Sequence, residues 1–295
     1  MSVEPISPLA PLGVAAALAA ESNPSITPHP RIWDEFQLSD RVGLVTGANR
    51  GLGLEMALVL LEAGARAVYC IDLPAEPGEE WQAVRAYAQR MRSGARLEYV
   101  RQDVTDQAAM WEVAQKVADK EGRIDIGIAA AGIASAGKNC LDYPADEFRK
   151  ALDINATGAL FTAQAVGRQM DRLGTPGSII IVASVAGTIT LKDMKTIPYN
   201  TSKSALLQLA RSMACELGPK RIRVNTVSPG YVCTKMTGLF IESQPSVSAH
   251  WSSGNPLGRI ATPDEMRGVI IWLSSDASSF CTGSDIIVDG GAHSW

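Results

Sequence analysis

Histidine is scarce in this chain: His29, His250 and His293 are the only three in 295 residues, and none falls in an HExxH or related ligand spacing. A histidine-based zinc site is therefore not expected, and the chemistry should be metal-free. Cysteine is equally uninformative as a framework. Cys70, Cys140, Cys215, Cys233 and Cys281 are scattered, odd in number and without a Cys-x-x-Cys pair, the pattern of reduced thiols in a cytoplasmic protein. Neither sign of charge is in excess: 27 Lys+Arg oppose 31 Asp+Glu, a net of −4. That removes the electrostatic reason to expect nucleic acid or an anionic membrane as a partner and leaves a small molecule. Long apolar runs are absent too. The one candidate, Pro11 to Ala20, falls short of the ~20 residues that a membrane span needs. It has no basic flank, with Glu4 before it and Glu21 after it, so it reads neither as a span nor as a targeting signal.

What remains is a chain 46% hydrophobic, enough for a substantial core. Residues 1–37 read as a Pro/Ala-rich arm, mostly irregular, whose role is either a simple tail or packing along the domain or a neighbouring subunit. From residue 38 to 295, short β-branched strands alternate with segments of helical apolar spacing. Val42–Thr46, Ala67–Ile71, Leu97–Gln102, Ile124–Ala130, Ser178–Ala183, Ile222–Ser228 and Asp285–Val288 are the expected strands. Between them lie expected helices, including one long helix over Asp146–Leu173 and another over Tyr199–Leu217. Such alternation without a break in composition predicts a single α/β domain: a Rossmann-like doubly wound parallel sheet of seven strands with helices on both faces. Residues 231–258 interrupt the alternation with Ser, Gln, Gly and Pro and are expected to cover a substrate.

Two motifs carry chemistry. After the first strand comes Thr46-Gly47-Ala48-Asn49-Arg50-Gly51-Leu52-Gly53, then a helix. Glycines there permit a tight turn, close approach of a pyrophosphate and close helix–strand packing, while the helix N-terminus offers N–H groups to phosphate. Asp72, 19 residues after Gly53 at the end of the second strand, suits the ribose hydroxyls of NAD and repels a 2′-phosphate. Arg50 argues the other way and admits NADP; Asp72 is weighted more heavily. Asp103, closing the third strand, can reach the adenine amino group or simply cap a helix.

The second motif is Tyr199-Asn200-Thr201-Ser202-Lys203, whose four-residue step sets Tyr199 and Lys203 on one helix face. A phenol of pKa ~10 is a poor base at neutral pH, and a neighbouring ammonium is expected to lower it. Ser184, ending the buried fifth strand, can donate to a substrate carbonyl. Asn155 can hold a water linking Lys203 to solvent.

Together these residues resemble the short-chain dehydrogenase/reductase family, from about Leu38 to Gly291. The resemblance includes Thr46–Gly53, Asp103-Val104, the Asn155 helix, Ser184, Tyr199–Lys203, Arg223-Val224-Asn225, Pro229-Gly230 with Thr234, and Thr282-Gly283 through Gly291. It implies a catalytic tetrad of Asn155, Ser184, Tyr199 and Lys203, with Lys203 also holding the nicotinamide ribose. Gly47, Asn49, Arg50, Gly51, Leu52, Gly53, Asp72, Asp103, Val104, Ala131 and Gly132 would bind the dinucleotide, and Pro229, Gly230, Val232 and Thr234 its nicotinamide end. It also implies a homo-oligomer, tetramer or dimer.

Two departures stand out. Ala129-Ala130-Ala131-Gly132 replaces Asn-Asn-Ala-Gly, deleting a side chain that would brace neighbouring strands. Ser184 precedes Tyr199 by 15 residues, more than the family pattern, so Ala186 occupies the unshifted position and the extra length falls in Thr190–Pro198. The expected reaction is NAD(P)-dependent interconversion of a secondary alcohol and a ketone. Ile189, Leu191, Met194, Tyr231, Met236, Leu239, Phe240 and Trp251 would form a mostly apolar pocket suited to a hydrophobic ketone of secondary metabolism. Residues Phe36 to Val42 and the long arm instead resemble fungal polyol or ketose dehydrogenases. A cofactor-binding sensor without turnover is a third reading; it would need the cradle but not the tetrad. The C-terminal Trp295 is expected to be buried against a neighbouring subunit.

Overall fold

A computed structural model describes residues 11–91, 93–135, 137–190, 194–234 and 245–295. Its strands are β1 (Val42–Thr46), β2 (Ala67–Asp72), β3 (Arg96–Arg101), β4 (Ile126–Ala129), β5 (Gly177–Val182), β6 (Ile222–Pro229) and β7 (Asp285–Val288). All pair in parallel, in the order β3-β2-β1-β4-β5-β6-β7. Parallel pairing demands crossovers, and crossover helices cover both faces, so the central strands are apolar along their whole length rather than alternating. β1 is buried at every position. Successive residues of β5 serve opposite cores: Ile179 and Ile181 join Leu44, Met110, Val166 and Met170, whereas Ile180 joins Val45, Leu60, Val68 and Leu273.

The helices on the first face are α5 (Gln107–Glu121), α7 (Gly158–Leu173) and α8 (Ile197–Leu217); α3 (Gly51–Glu62) and the helix Arg267–Ser274 cover the second. α4 (Glu79–Arg90) packs against α3 and β3. The order of the strands reverses between β1 and β4. Their carboxyl ends therefore open on a crevice with no connection running across it, the place where doubly wound sheets bind ligands.

Three expectations need correction. Within the described part of the arm, residues 11–37, the chain is helical at α1 (Gly13–Ser22) and the short α2 (Ile32–Glu35). Five of the ten residues of α1 are alanine, the residue of highest helix propensity, so local preference suffices although no residue of it is buried. The long helix expected over Asp146–Leu173 is divided. α6 (Ala145–Leu152) passes through a π turn at Asp153–Thr157 before α7 begins; such turns insert one residue and re-aim its side chain. Finally, Asp103 caps no helix. Asp106 caps α5 by accepting from the Ala109 N–H (3.0 Å), and Asp103 instead accepts from the N–H and hydroxyl of Thr105.

The alanines that replace the expected asparagine leave β1 and β4 paired from Gly43↔Ile126 to Thr46↔Ala129. Buried Asp125 joins the two strands at their start, accepting from the Val42 N–H (2.8 Å) while Arg123 holds it in a forked pair.

Candidate active site

The crevice is a cavity of about 1420 Å³. Gly47, Gly51, Leu52 and Gly53 form one end. A Cβ added at Gly53 would lie 2.3 Å from the Gly47 carbonyl oxygen, and one at Gly47 2.7 Å from Ala131 Cα. The third glycine thus permits the turn to close on its helix, and the first, at φ +67°, permits β1 to abut the end of β4. Arg50 at the N-cap makes no side-chain cap, and the Gly51 N–H in the first turn of α3 donates to Glu80 (3.5 Å).

Asp72 stands beside this turn and accepts from the Asn49 N–H (3.0 Å). An adjoining cleft is lined by Asn49, Arg50, Asp72, Glu79 and Glu80. Asp103, Val104, Ala131 and Gly132 continue the wall, and Pro229, Gly230, Val232 and Thr234 face them across the cavity. The glycine turn, the helix N-terminus behind it and the Asp72 carboxylate beside it stand together, the elements that dinucleotide binding draws on in doubly wound sheets.

Ser184, Tyr199 and Lys203 line the same cavity. Tyr199 and Lys203 sit one turn apart on α8, with the ammonium 5.7 Å from the ring centroid. Ser184 reaches them despite the long intervening segment. A Cβ on Gly187 would meet the Lys203 carbonyl carbon and oxygen at 2.8 Å, so the turn after β5 lies directly on the α8 backbone, and the Ser204 hydroxyl donates to the Gly187 carbonyl. Ala186, buried at 3% exposure, is not among the residues facing the cavity.

Burial, not the lysine, governs the tyrosine. Loss of water pushes the Tyr199 hydroxyl above its ordinary value, partly opposed by a hydrogen bond with Ser184. The expected lowering by Lys203 is absent. Its ammonium is itself buried and brought down to about 8 by desolvation, and it donates to the Val182 carbonyl oxygen (2.7 Å) instead of pointing at the phenol. Asn155 is held by protein partners. Its Oδ1 accepts from the Ile133 N–H (2.8 Å), and its Nδ2 donates to the Ile133 carbonyl (3.0 Å) and the Ser202 hydroxyl (2.9 Å). The side chain braces the β4 exit against α8 beside Gly132.

Of the expected pocket residues, Met194, Tyr231 and Trp251 line the cavity, and Ile189 is not among those that do. Leu191, Met236, Leu239 and Phe240 lie outside the described residues. Tyr231 and Trp251 stack face to face, centroids 4.2 Å apart and planes 9° apart, a contact that sequence distance conceals. Val182, Ile133 and Ser135, also at the site, carry no sequence signal. Trp295 is 79% exposed in the single chain, and its indole N–H donates to the Gly254 carbonyl (3.4 Å).

A doubly wound sheet with a glycine cradle and a buried Ser/Tyr/Lys cluster at its switch point defines a nicotinamide-dependent oxidoreductase. The chain belongs to the short-chain dehydrogenase/reductase family: the family model described as enoyl-(acyl carrier protein) reductase matches residues 47–293. Among curated relatives, the short-chain dehydrogenase/reductase notP′ of Aspergillus versicolor is 37% identical over 285 residues, covering 95% of this chain and 94% of the relative. The sorbose reductase sou1 of Schizosaccharomyces pombe is 36% identical over 258 residues, covering 87% and 97%. Among solved structures, a gluconate 5-dehydrogenase from Burkholderia cenocepacia in complex with NADP and tartrate has a TM-score of 0.78 and 30% identity, covering 89% of this chain and 99% of that one. Carveol dehydrogenase from Mycobacterium avium in complex with NAD has a TM-score of 0.80 and 26% identity, covering 88% and 99%. No helix among the described residues is long and apolar enough to cross a membrane.

Proposed function

We propose that the chain interconverts a predominantly hydrophobic secondary alcohol and its ketone, with NAD as the preferred dinucleotide and Tyr199 as general acid/base. The observation that carries this reading is the convergence of Ser184, Tyr199 and Lys203 on one cavity that the stacked Tyr231 and Trp251 also line. The nicotinamide, when bound, supplies or accepts hydride at the carbinol carbon. Ser184 holds the reacting oxygen. Tyr199, kept protonated at neutral pH by burial, donates its proton to that oxygen in the reducing direction and recovers it in the oxidising one. Lys203 regains full charge beside an anionic dinucleotide and then favours the phenolate, and Asn155 positions both by bracing Ser202 and Ile133.

NAD is favoured because Glu79 and Glu80 stand with Asp72 around the cleft next to the glycine turn, where a 2′-phosphate would face three carboxylates and only Arg50 in compensation. A paired NAD and NADP titration on the parent and Tyr199→Phe, followed by a ketone panel, tests the reading. Equal binding to both proteins with no carbonyl reduced by either would reject the enzyme.

A polyol or ketose substrate is the second reading. It is favoured by the named activities of the relatives, sorbose reductase and the D-arabinitol 2-dehydrogenase of Candida tropicalis. We also take the enzyme to be a cytoplasmic homo-oligomer. Trp295, Phe280 and Leu141 are left largely bare on the single chain and are the side chains that assembly would cover, and all five cysteines are free thiols.

A further inference from the structure

The stretch after β4 is fastened at two described points, Ile133 and Gly137. Asn155 grips its start through both backbone groups of Ile133. At the other end the Gly137 N–H donates to the Lys195 carbonyl (3.1 Å), and the Lys195 ammonium donates to Asn139 Oδ1 (2.7 Å). Lys195 lies four residues before Tyr199. Ser135 therefore lies in sequence between two tethered points of this stretch, one at the exit of β4 and one beside the entry of α8.

Ser135 lines the same cavity as Ser184 and Tyr199. Its Oγ is buried and has no hydrogen-bond partner among the described residues. Other hydroxyls on this wall differ. Thr196 Oγ1 donates to Asn200 Oδ1 (2.9 Å), and Ser184 Oγ accepts from the Ala186 N–H (3.2 Å). Buried hydroxyls are nearly always paired, since an unpaired one forfeits its interaction with water. An unpaired one on the wall of a ligand cavity is explained if the ligand supplies the partner.

We infer that Ser135 is a second polar anchor, binding an oxygen on the carbon next to the reacting one. The preferred substrates are then α-hydroxy ketones or, in the oxidising direction, vicinal diols. This rests on the alcohol–ketone reading of the site and narrows it: an apolar body against the aromatic stack, with one oxygen beside the reacting carbon. It also unites the two substrate readings, because a ketose carries that same hydroxyl.

The test uses the full chain with its preferred reduced dinucleotide and two ketone pairs, acetoin against butanone and benzoin against deoxybenzoin. Each pair differs only by the hydroxyl beside the carbonyl. Because that hydroxyl also activates the carbonyl electronically, the diagnostic quantity is the ratio of kcat/KM within a pair, compared between the parent and Ser135→Ala. The ratio is expected to fall about 10- to 100-fold in the variant, the span of one lost hydrogen bond to a buried partner. A second readout needs no substrate. Removing an unpaired hydroxyl should leave the melting temperature unchanged or raise it by about 2–4 °C. A ratio that survives in Ser135→Ala, or a melting temperature that drops by several degrees, overturns the anchor alone. Failure to reduce any of the four ketones by a chain that binds the dinucleotide overturns the enzyme reading and the anchor with it.

Discussion

The pairing of Tyr199 with Lys203 is legible in the sequence because it is local: four residues on one helix share a face whatever surrounds them. Their energetics are not legible there, because both depend on what covers them. For Tyr199→Phe, kcat is expected to fall by about 10²–10⁴, the span of general acid–base catalysis, while the dinucleotide Kd stays within about threefold; retained turnover in a direct assay would remove the tyrosine from the mechanism. Lys203 makes a separate prediction. Its folded-state value of about 8 lies below the ordinary 10.5, so between those values the unfolded chain carries a proton that the folded chain has released. Stability then rises with pH through that window, and the folded state bears the penalty below it. Denaturant titrations of the dinucleotide-free protein should show the parent gaining on Lys203→Met from pH 8 towards 10.5; parallel profiles would mean that the amine keeps its proton. Gly53→Ala should weaken dinucleotide binding more than tenfold by calorimetry, because the new Cβ is directed at the Gly47 carbonyl.

At the scale of elements, strands are legible from their β-branched runs and helices from apolar spacing. The π turn is not, since one inserted residue leaves the apolar period nearly unchanged. The Arg223-Val224-Asn225 motif acquires a physical meaning only once β6 and its neighbours are assembled. Arg223 donates to the carbonyls of Leu273, Ser275 and Cys281. Asn225, fully buried, donates to the Cys281 carbonyl (2.9 Å) and accepts from the Ser284 N–H (3.0 Å). Both fasten the turn that launches β7, remote from the reacting groups. Asn225→Ala leaves the Ser284 N–H unpaired, while the Cys281 carbonyl keeps its bond from Arg223, and should cost about 1–3 kcal/mol in urea unfolding, with KM for the alcohol or ketone little changed. A loss confined to activity would place Asn225 at the site instead.

For the whole molecule, alternating strands and helices announce a parallel sheet, but strand order follows from crossovers that no local pattern encodes. The site is legible wherever a residue type carries its own chemistry, as with Tyr199 or Asp72. It is opaque wherever function depends on one unremarkable residue's surroundings, as with Ser135, Gly187 or the Tyr231–Trp251 pair. Interfaces are more opaque still. Trp295 and Phe280 are exposed on the single chain, and light scattering behind size-exclusion chromatography should give a dimer or tetramer; a monomer at micromolar concentration would reject assembly. The arm contributes no buried residue through α1. Deleting residues 1–30 is accordingly expected to shift the melting temperature by less than about 2 °C.

The contact between Gly187 and the Lys203 backbone has a consequence for how such enzymes diversify. With Gly187 resting on the Lys203 backbone, the chain between Ser184 and Tyr199 has its two ends held close together. Lengthening a loop whose ends are already fixed is thermodynamically cheap, growing only with the logarithm of its length. Insertions there can reshape the mouth of the cavity without disturbing the reaction, so this segment is the natural place for a laboratory to graft a new specificity.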